Sequence, residues 1–377
     1  MLGNWLIAGI FWADWLVIFK QSACLFNGAF TGRGDIMKTI YSEQHRLRDA
    51  KTELYGGELV KPFERPSRAD MVIKAVRQSN LGKIKEPTSY PLDQVLAVHD
   101  ADFVSFLETA CDEWHQIGYA GEAMATVWPA RRMQCRVPRF IEGKIGYYAM
   151  AAETTITEGT WPAALASKDV ALTGAQGLLA GEHGVFSLCR PPGHHAARDM
   201  FGGYCFLNNA AIGTQYLRDN GAERVAILDV DFHHGNGTQD IFYERDDVLF
   251  CSLHGDPEDA FPHFLGYADE TGLGAGMGYN RNYPMLPGTP FSKWGESLSN
   301  ALEHIDGFAP QYLVVSLGVD TFENDPISFF KLTTPDYLTM GEMIGALKIP
   351  TLFVLEGGYD IDEVGINAVN VLKGYAS

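Results

Sequence analysis

The stretch VAILDVDFHHGNGT, residues 225–238, decides how the chain is read. It begins with Val225, Ala226, Ile227 and Leu228, the continuous apolar run of a strand buried on both faces. It then turns polar at once, with Asp229, Asp231, His233 and His234. Side chains on an extended backbone alternate, so Asp229, Asp231 and His233 are expected on one face. Carboxylates and an imidazole at that spacing suit half of a metal site. Gly235, Asn236 and Gly237 follow and let the backbone turn away tightly. An isolated Asp-His pair reads best as a solvated strand end; this density of ligand types does not.

Working outward, four further apolar runs resemble this one: 185–188, 248–253, 312–317 and 351–355. Helical stretches separate most of them, at 208–220, 292–308 and 335–347. Such alternation predicts an α/β fold with a central, mainly parallel sheet flanked by helices on both faces. Active sites in these sheets gather at the carboxyl ends of the strands. The reactive residues fall there: Arg190-Pro191-Pro192-Gly193-His194-His195, the Asp/His cluster, Gly318-Val319-Asp320, and Glu356-Gly357-Gly358-Tyr359.

Upstream, the pattern is looser. Residues 39–41 read as the first strand and 53–66 as a long loop punctuated by Gly and Pro. Ser67 is placed to cap a helix carrying Met71, Val72, Ala75 and Val76. Helical periodicity runs through 92–114, with further helices expected at 145–153 and 161–179. The intervening 118–143 is irregular and aromatic-bearing, as functional or interface loops often are. With no repeat, low-complexity tract or linker in view, residues 37–377 read as one catalytic domain. Residues 1–36 are apolar and Trp-rich but interrupted by Asp14, and lack a basic stretch before the apolar run. That makes a poor secretory signal and a marginal membrane span. They are expected to be an extension outside the fold, and no membrane association is expected.

Composition bounds the rest. The chain has 377 residues, 46% hydrophobic, with 40 glycines and a net charge of −18. That suits a loop-rich globular enzyme, disfavours nucleic acid as a partner, and favours cationic ones. Six scattered cysteines without a CxxC pair point to mostly buried thiols in a reducing, cytoplasmic setting.

A catalytic zinc needs about three protein ligands and an open position. Asp231 and His233 supply two, and Asp320, from another strand end, is the best third. His194 and His195 are placed to assist as bases. If Asp229 holds one ring, its charge favours the protonated form there. If Asn236 holds the other, that ring stays nearer its intrinsic pKa and is the better general base. Tyr359, on a Gly-Gly turn, is the candidate oxyanion donor. One metal, two imidazoles and a phenol describe hydrolysis of an amide or ester.

The motifs RPPGHHA, GGYCFLNN, DVDFHHGNGTQ, SLGVDTFENDP and EGGYD together resemble the zinc-dependent histone deacetylase superfamily. TELYGGEL, IEGKIGYY and HGDPEDAFPHFLGY resemble its bacterial acetylpolyamine amidohydrolases. The resemblance implies the arginase/deacetylase fold and removal of acetyl groups from small cationic acetylated polyamines. It implies one Zn2+ on Asp231, His233 and Asp320, with His195 as base and acid, His194 as its electrostatic partner, and Tyr359 polarising the carbonyl. Tyr204 and Phe261 would wall the substrate tunnel, and Glu142 and Glu153 would meet the distal ammonium groups. A structural K+ is implied near Asp229, Asp231, His233, Ser252 and Leu253, and a homodimer whose amino-terminal loops narrow the tunnel. Three rivals stand beside this reading: a protein lysine deacetylase of the same chemistry, an arginase-like enzyme with two manganese ions, and an inactive binder of acetylated amines.

Overall fold

The computed structural model describes residues 37–377, apart from Arg131 and Met133. The expectations for residues 1–36 lie outside the described residues. In chain order the elements are β1 (Lys38–Ile40), β2 (Glu53–Tyr55), β3 (Glu58–Val60), α1 (Ser67–Ser79), β4 (Ile84–Lys85), α2 (Asp93–Leu96), α3 (Ala101–Gln116), α4 (Ile141–Tyr148) and α5 (Thr160–Leu179). There follow β5 (Gly184–Ser187), α6 (Asn209–Asp219), β6 (Val225–Asp229), α7 (Asn236–Phe242), β7 (Val248–Gly255), β8 (Asn280–Met285), α8 (Phe291–Phe308), β9 (Tyr312–Leu317), α9 (Asp336–Gly345), β10 (Thr351–Leu355) and α10 (Val364–Tyr375).

Eight strands form one sheet in the order β4-β1-β5-β10-β9-β6-β7-β8. Every pairing in it is parallel. Consecutive residues of a strand feed opposite faces, and the core divides accordingly. Leu313, Val315 and Phe353 join the cluster formed with α1, α8, α9 and α10. Val314, Leu352 and Val354 join the cluster formed with α3, α4, α5 and α6. Burial on both faces explains why β6, β9 and β10 read as unbroken apolar runs.

Several local expectations change. The loop expected at 53–66 contains an antiparallel hairpin, because Gly56 and Gly57 both take positive φ and close a tight turn between β2 and β3. Ser67 is the first residue of α1 and not its cap; Pro66 holds that position, without a side-chain cap bond. The helix at 92–114 is two helices, α2 and α3, and that at 145–153 runs earlier, over Ile141–Tyr148. Asn236 opens α7 and so belongs to a helix as well as to the turn. Among the described residues no helix is long and apolar enough to cross a membrane. Of the five described cysteines, Cys189, Cys205 and Cys251 are buried, Cys111 is half-buried and Cys135 exposed.

Candidate active site

The carboxyl ends of β5, β6, β9 and β10 meet over one cavity of about 330 Å³. Its lining includes His195, Gly203, Tyr204, His233, Phe261 and Tyr359, with Glu53, Glu153 and Asp259 among the polar groups. The expected ligand trio is assembled at its floor. Asp231, His233 and Asp320 are buried, and one donor atom from each lies within 4.8 Å of the others.

The route to this cluster differs from strand periodicity. β6 ends at Asp229, so Asp231 and His233 sit on the turn beyond it. Backbone N–H donation makes the turn stepwise: Asp231 donates to Asp229 Oδ1 at 3.2 Å, and His233 donates to Asp231 Oδ1 at 2.9 Å. Phe232 N–H donates to Asp320 Oδ1 at 2.7 Å, tying the β9 segment to this turn. Gly357 N–H donates to Asp231 Oδ2 at 2.7 Å. A Cβ at Gly357 would collide with both Asp320 and Asp231, so only glycine lets the β10 segment come this close.

The trio fits a divalent cation by charge. His233 Nδ1 faces Asp320 Oδ2 at 3.0 Å and Asp231 Oδ1 at 3.3 Å. Burial alone would push His233 down, yet hydrogen bonds to the two carboxylates hold its pKa up at about 10. Burial and Asp231 together raise Asp320 to about 6. Two buried carboxylates around one imidazole call for positive charge, and an Asp₂His set is a proper one for a catalytic ion.

The paired histidines have the expected partners. His194 Nδ1 meets Asp229 Oδ2 at 3.0 Å, and His195 Nδ1 meets Asn236 Oδ1 at 2.6 Å. Their ring centroids are 4.1 Å apart. Burial opposes a charge on His194, but Asp229 and Asp231 hold its pKa at about 10. His195 differs from expectation: burial, then repulsion from His194 and His233, drives it well below the ordinary value. A carboxamide partner offers no charge to resist that, so the His195 ring is neutral and its Nε2 is left to accept a proton.

Tyr359 is held from two sides. Its N–H donates to Asp325 Oδ2 at 2.7 Å. The Arg68 guanidinium lies 4.6 Å from its ring centroid and donates to Gly358 O and Glu356 O, each at 2.6 Å. Arg68 and Arg190 share Glu64, at 3.1 and 2.8 Å, and all three are buried. Burial raises the Tyr359 phenol well above its usual range, so the hydroxyl keeps its proton.

The remaining expected residues divide. Tyr204 and Phe261 line the cavity, and Phe261 stands edge-on to His195 at 5.1 Å. Glu153 lines it and accepts from Gly203 N–H at 2.9 Å. Glu142 does not reach the cavity lining; it sits in α4 and accepts from the Tyr119 hydroxyl at 2.7 Å. Asp229 and Ser252 are register partners across β6 and β7, with Leu253 next along β7. Glu53 was missed: it is buried, accepts from the Tyr204 hydroxyl at 2.7 Å, and lines the cavity. Asp259, Asp325 and the Arg68–Glu64–Arg190 network were missed as well. Arg190, Asp259 and Asp325 lie inside the quoted motifs without a role of their own, and Glu64 and Arg68 show in the sequence only as charged residues beside a turn.

A parallel sheet with these groups at one edge defines a metal-centred hydrolase of the deacetylase type. The histone deacetylase domain signature matches residues 62–375, and the chain belongs to that family. It is 61% identical over 340 residues to acetylpolyamine amidohydrolase of Mycoplana ramosa, spanning 90% of this chain and 100% of that one. It is 54% identical over 339 residues to acetylpolyamine amidohydrolase 2 of Pseudomonas aeruginosa, spanning 90% and 98%. The crystal structure of acetylpolyamine aminohydrolase from Burkholderia pseudomallei is similar with a TM-score of 0.87 at 38% identity, covering 90% of this chain and 99% of that one.

Proposed function

We propose that the protein hydrolyses acetylated polyamines, of acetylputrescine or acetylcadaverine size and longer, to acetate and free amine. The observation that carries this is the acidic lining above the ligand trio: Glu53, Glu153 and Asp259 face one cavity. A cationic amine with an acetyl group at its far end is complementary to such a pocket.

A zinc ion held by Asp231, His233 and Asp320 would supply Lewis-acid activation of the acetyl carbonyl and of water. His195 Nε2 accepts the proton of the attacking water and returns it to the departing nitrogen, so that water plus amide gives acetate plus amine. His194, fixed by Asp229, orients that ring and offsets charge beside it. The Tyr359 hydroxyl donates to the carbonyl oxygen as negative charge develops there. Tyr204 and Phe261 flank the methylene chain, and Glu153 receives the distal ammonium group.

Residues 37–377 act as the catalytic unit in this reading, in a cytoplasmic homodimer, and Glu142 reaches substrate only where a second subunit brings loops together. K+ near Asp229, Asp231, His233, Ser252 and Leu253 would brace the β6 and β7 ends that carry the ligands.

Enzyme loaded with a defined amount of zinc is to be assayed on acetylputrescine, acetylcadaverine, a longer acetylated polyamine and an acetyl-lysine peptide. The diamines should show the higher kcat/KM. Equal or faster turnover of the peptide would move the assignment to a protein lysine deacetylase, and two metal ions per active chain would move it to the arginase scheme.

A further inference from the structure

Beside the Asp₂His trio lies a second group of donors that the hydrolytic scheme leaves largely unused. His194, Cys205 and Glu356 are all buried, and one donor atom from each lies within 4.8 Å of the others. They come from three separate segments. His194 follows β5, Cys205 follows the Gly202-Gly203-Tyr204 turn, and Glu356 follows β10.

Glu356 carries the argument. Its Oε2 accepts from the N–H groups of Gly193 at 2.6 Å and His194 at 3.2 Å. Its Oε1 has no hydrogen-bond partner, although the residue is 0% exposed. A buried oxygen left in that state is unfavourable, and a ligand supplying positive charge would satisfy it. The Cys205 sulfur touches Gly203 O at 3.3 Å, and Gly203 itself lines the substrate cavity. His194 has Nδ1 committed to Asp229, with Nε2 as its other donor.

Imidazole, thiol and carboxylate from three segments form the ligand set of a thiophilic divalent ion with one position open. The first trio contains no sulfur, so the two clusters differ in the softness of their donors. We infer that His194, Cys205 and Glu356 form a second, inhibitory site for a thiophilic divalent cation such as zinc or cadmium. On binding, the Cys205 S–H and His194 Nε2–H bonds break, both protons leave to solvent, the sulfur–metal and nitrogen–metal bonds form, and no electrons are transferred. The bound cation captures His194 and stands beside His195, whose ring lies 4.1 Å from that of His194. Drawn onto the cation, the His194 ring no longer orients the His195 ring beside it. The inhibition, though not the binding, rests on the roles proposed above for these two histidines.

Cadmium tests this without relying on turnover alone, because a cadmium–thiolate bond gives an ultraviolet charge-transfer band and the Asp₂His trio cannot. Full-length enzyme holding one equivalent of zinc is titrated with cadmium while the band, bound zinc and acetate release are followed. We expect one further equivalent to bind with the band, zinc to stay, and turnover to fall at least tenfold. Cys205→Ser should lose the band and the inhibition while keeping its basal turnover and its zinc. Glu356→Gln should weaken the second binding tenfold or more. A band that persists in Cys205→Ser would place the sulfur at Cys24, Cys111 or Cys135 and overturn the proposal. Inhibition with zinc release and no band would overturn it too, by placing cadmium in the first trio. Absence of turnover before cadmium is added would instead fell the deacetylase reading and leave the band readable.

Discussion

The floor and the rim of the cavity are built on different terms. At the floor, the reactive atoms stand on or just past the ends of β6, β9 and β10, and their partners are fixed. Asp231, Asp320 and Asp229 are 0% exposed, and backbone N–H groups hold each carboxylate. At the rim, the groups come from the β2–β3 hairpin and from irregular segments, with Tyr55 51% and Leu54 37% exposed. A rigid floor fixes one reaction geometry. A loop-built rim can vary in length and charge without touching that geometry. The contrast teaches that chemistry and substrate choice are separable here, and substitutions should separate them.

The largest effect is expected at the floor. His195→Ala should lower kcat by about 10³, the middle of the range that proton transfer contributes, with the metal content unchanged. Loss of metal in that variant would make His195 a ligand and redraw the floor. Next comes Tyr359→Phe, for which we expect kcat to fall about 10² with KM little altered. A change of only a few-fold would remove the phenol from the developing charge and leave its packing against Arg68 as its role. At the rim, Glu153→Gln should raise KM for acetylated diamines about tenfold and leave kcat near its starting value, as for a lost uniform binding contact. A matching loss on an uncharged acetylated alkylamine would show that Glu153 acts by holding the Gly203 turn, and the separation of floor from rim would fail there.

Much of the floor was legible because strand ends advertise themselves. β9 and β10 have the bounds read from the sequence, since Tyr312–Leu317 and Thr351–Leu355 are continuous apolar runs buried in the middle of the sheet. The edge strand β8, with Asn280, Arg281, Asn282 and Pro284, was invisible for the opposite reason: it is polar and half-exposed. The helix α10 carries Gly365 and Gly374, which blur a helical signal. Asp231 and His233 do come together with Asp320, but not by strand periodicity: the strand stops before them and hydrogen-bonded turns bring them in. Glu53 could not be foreseen as a lining residue. Its hydroxyl partner, Tyr204, lies 151 positions away, and no local pattern encodes that meeting. The depressed basicity of His195 likewise follows from neighbouring rings that only the folded chain assembles.

The strand order has a consequence for how the protein is made. β10, the last strand, lies between β5 and β9, in the interior of the sheet. Until a ribosome has released it, the sheet is two unjoined halves, β4-β1-β5 on one side and β9-β6-β7-β8 on the other, each showing a raw hydrogen-bonding edge. Nascent chains are therefore exposed to mispairing through nearly the whole of synthesis. A stop codon shortly before position 351 should yield aggregates and not a weakened enzyme.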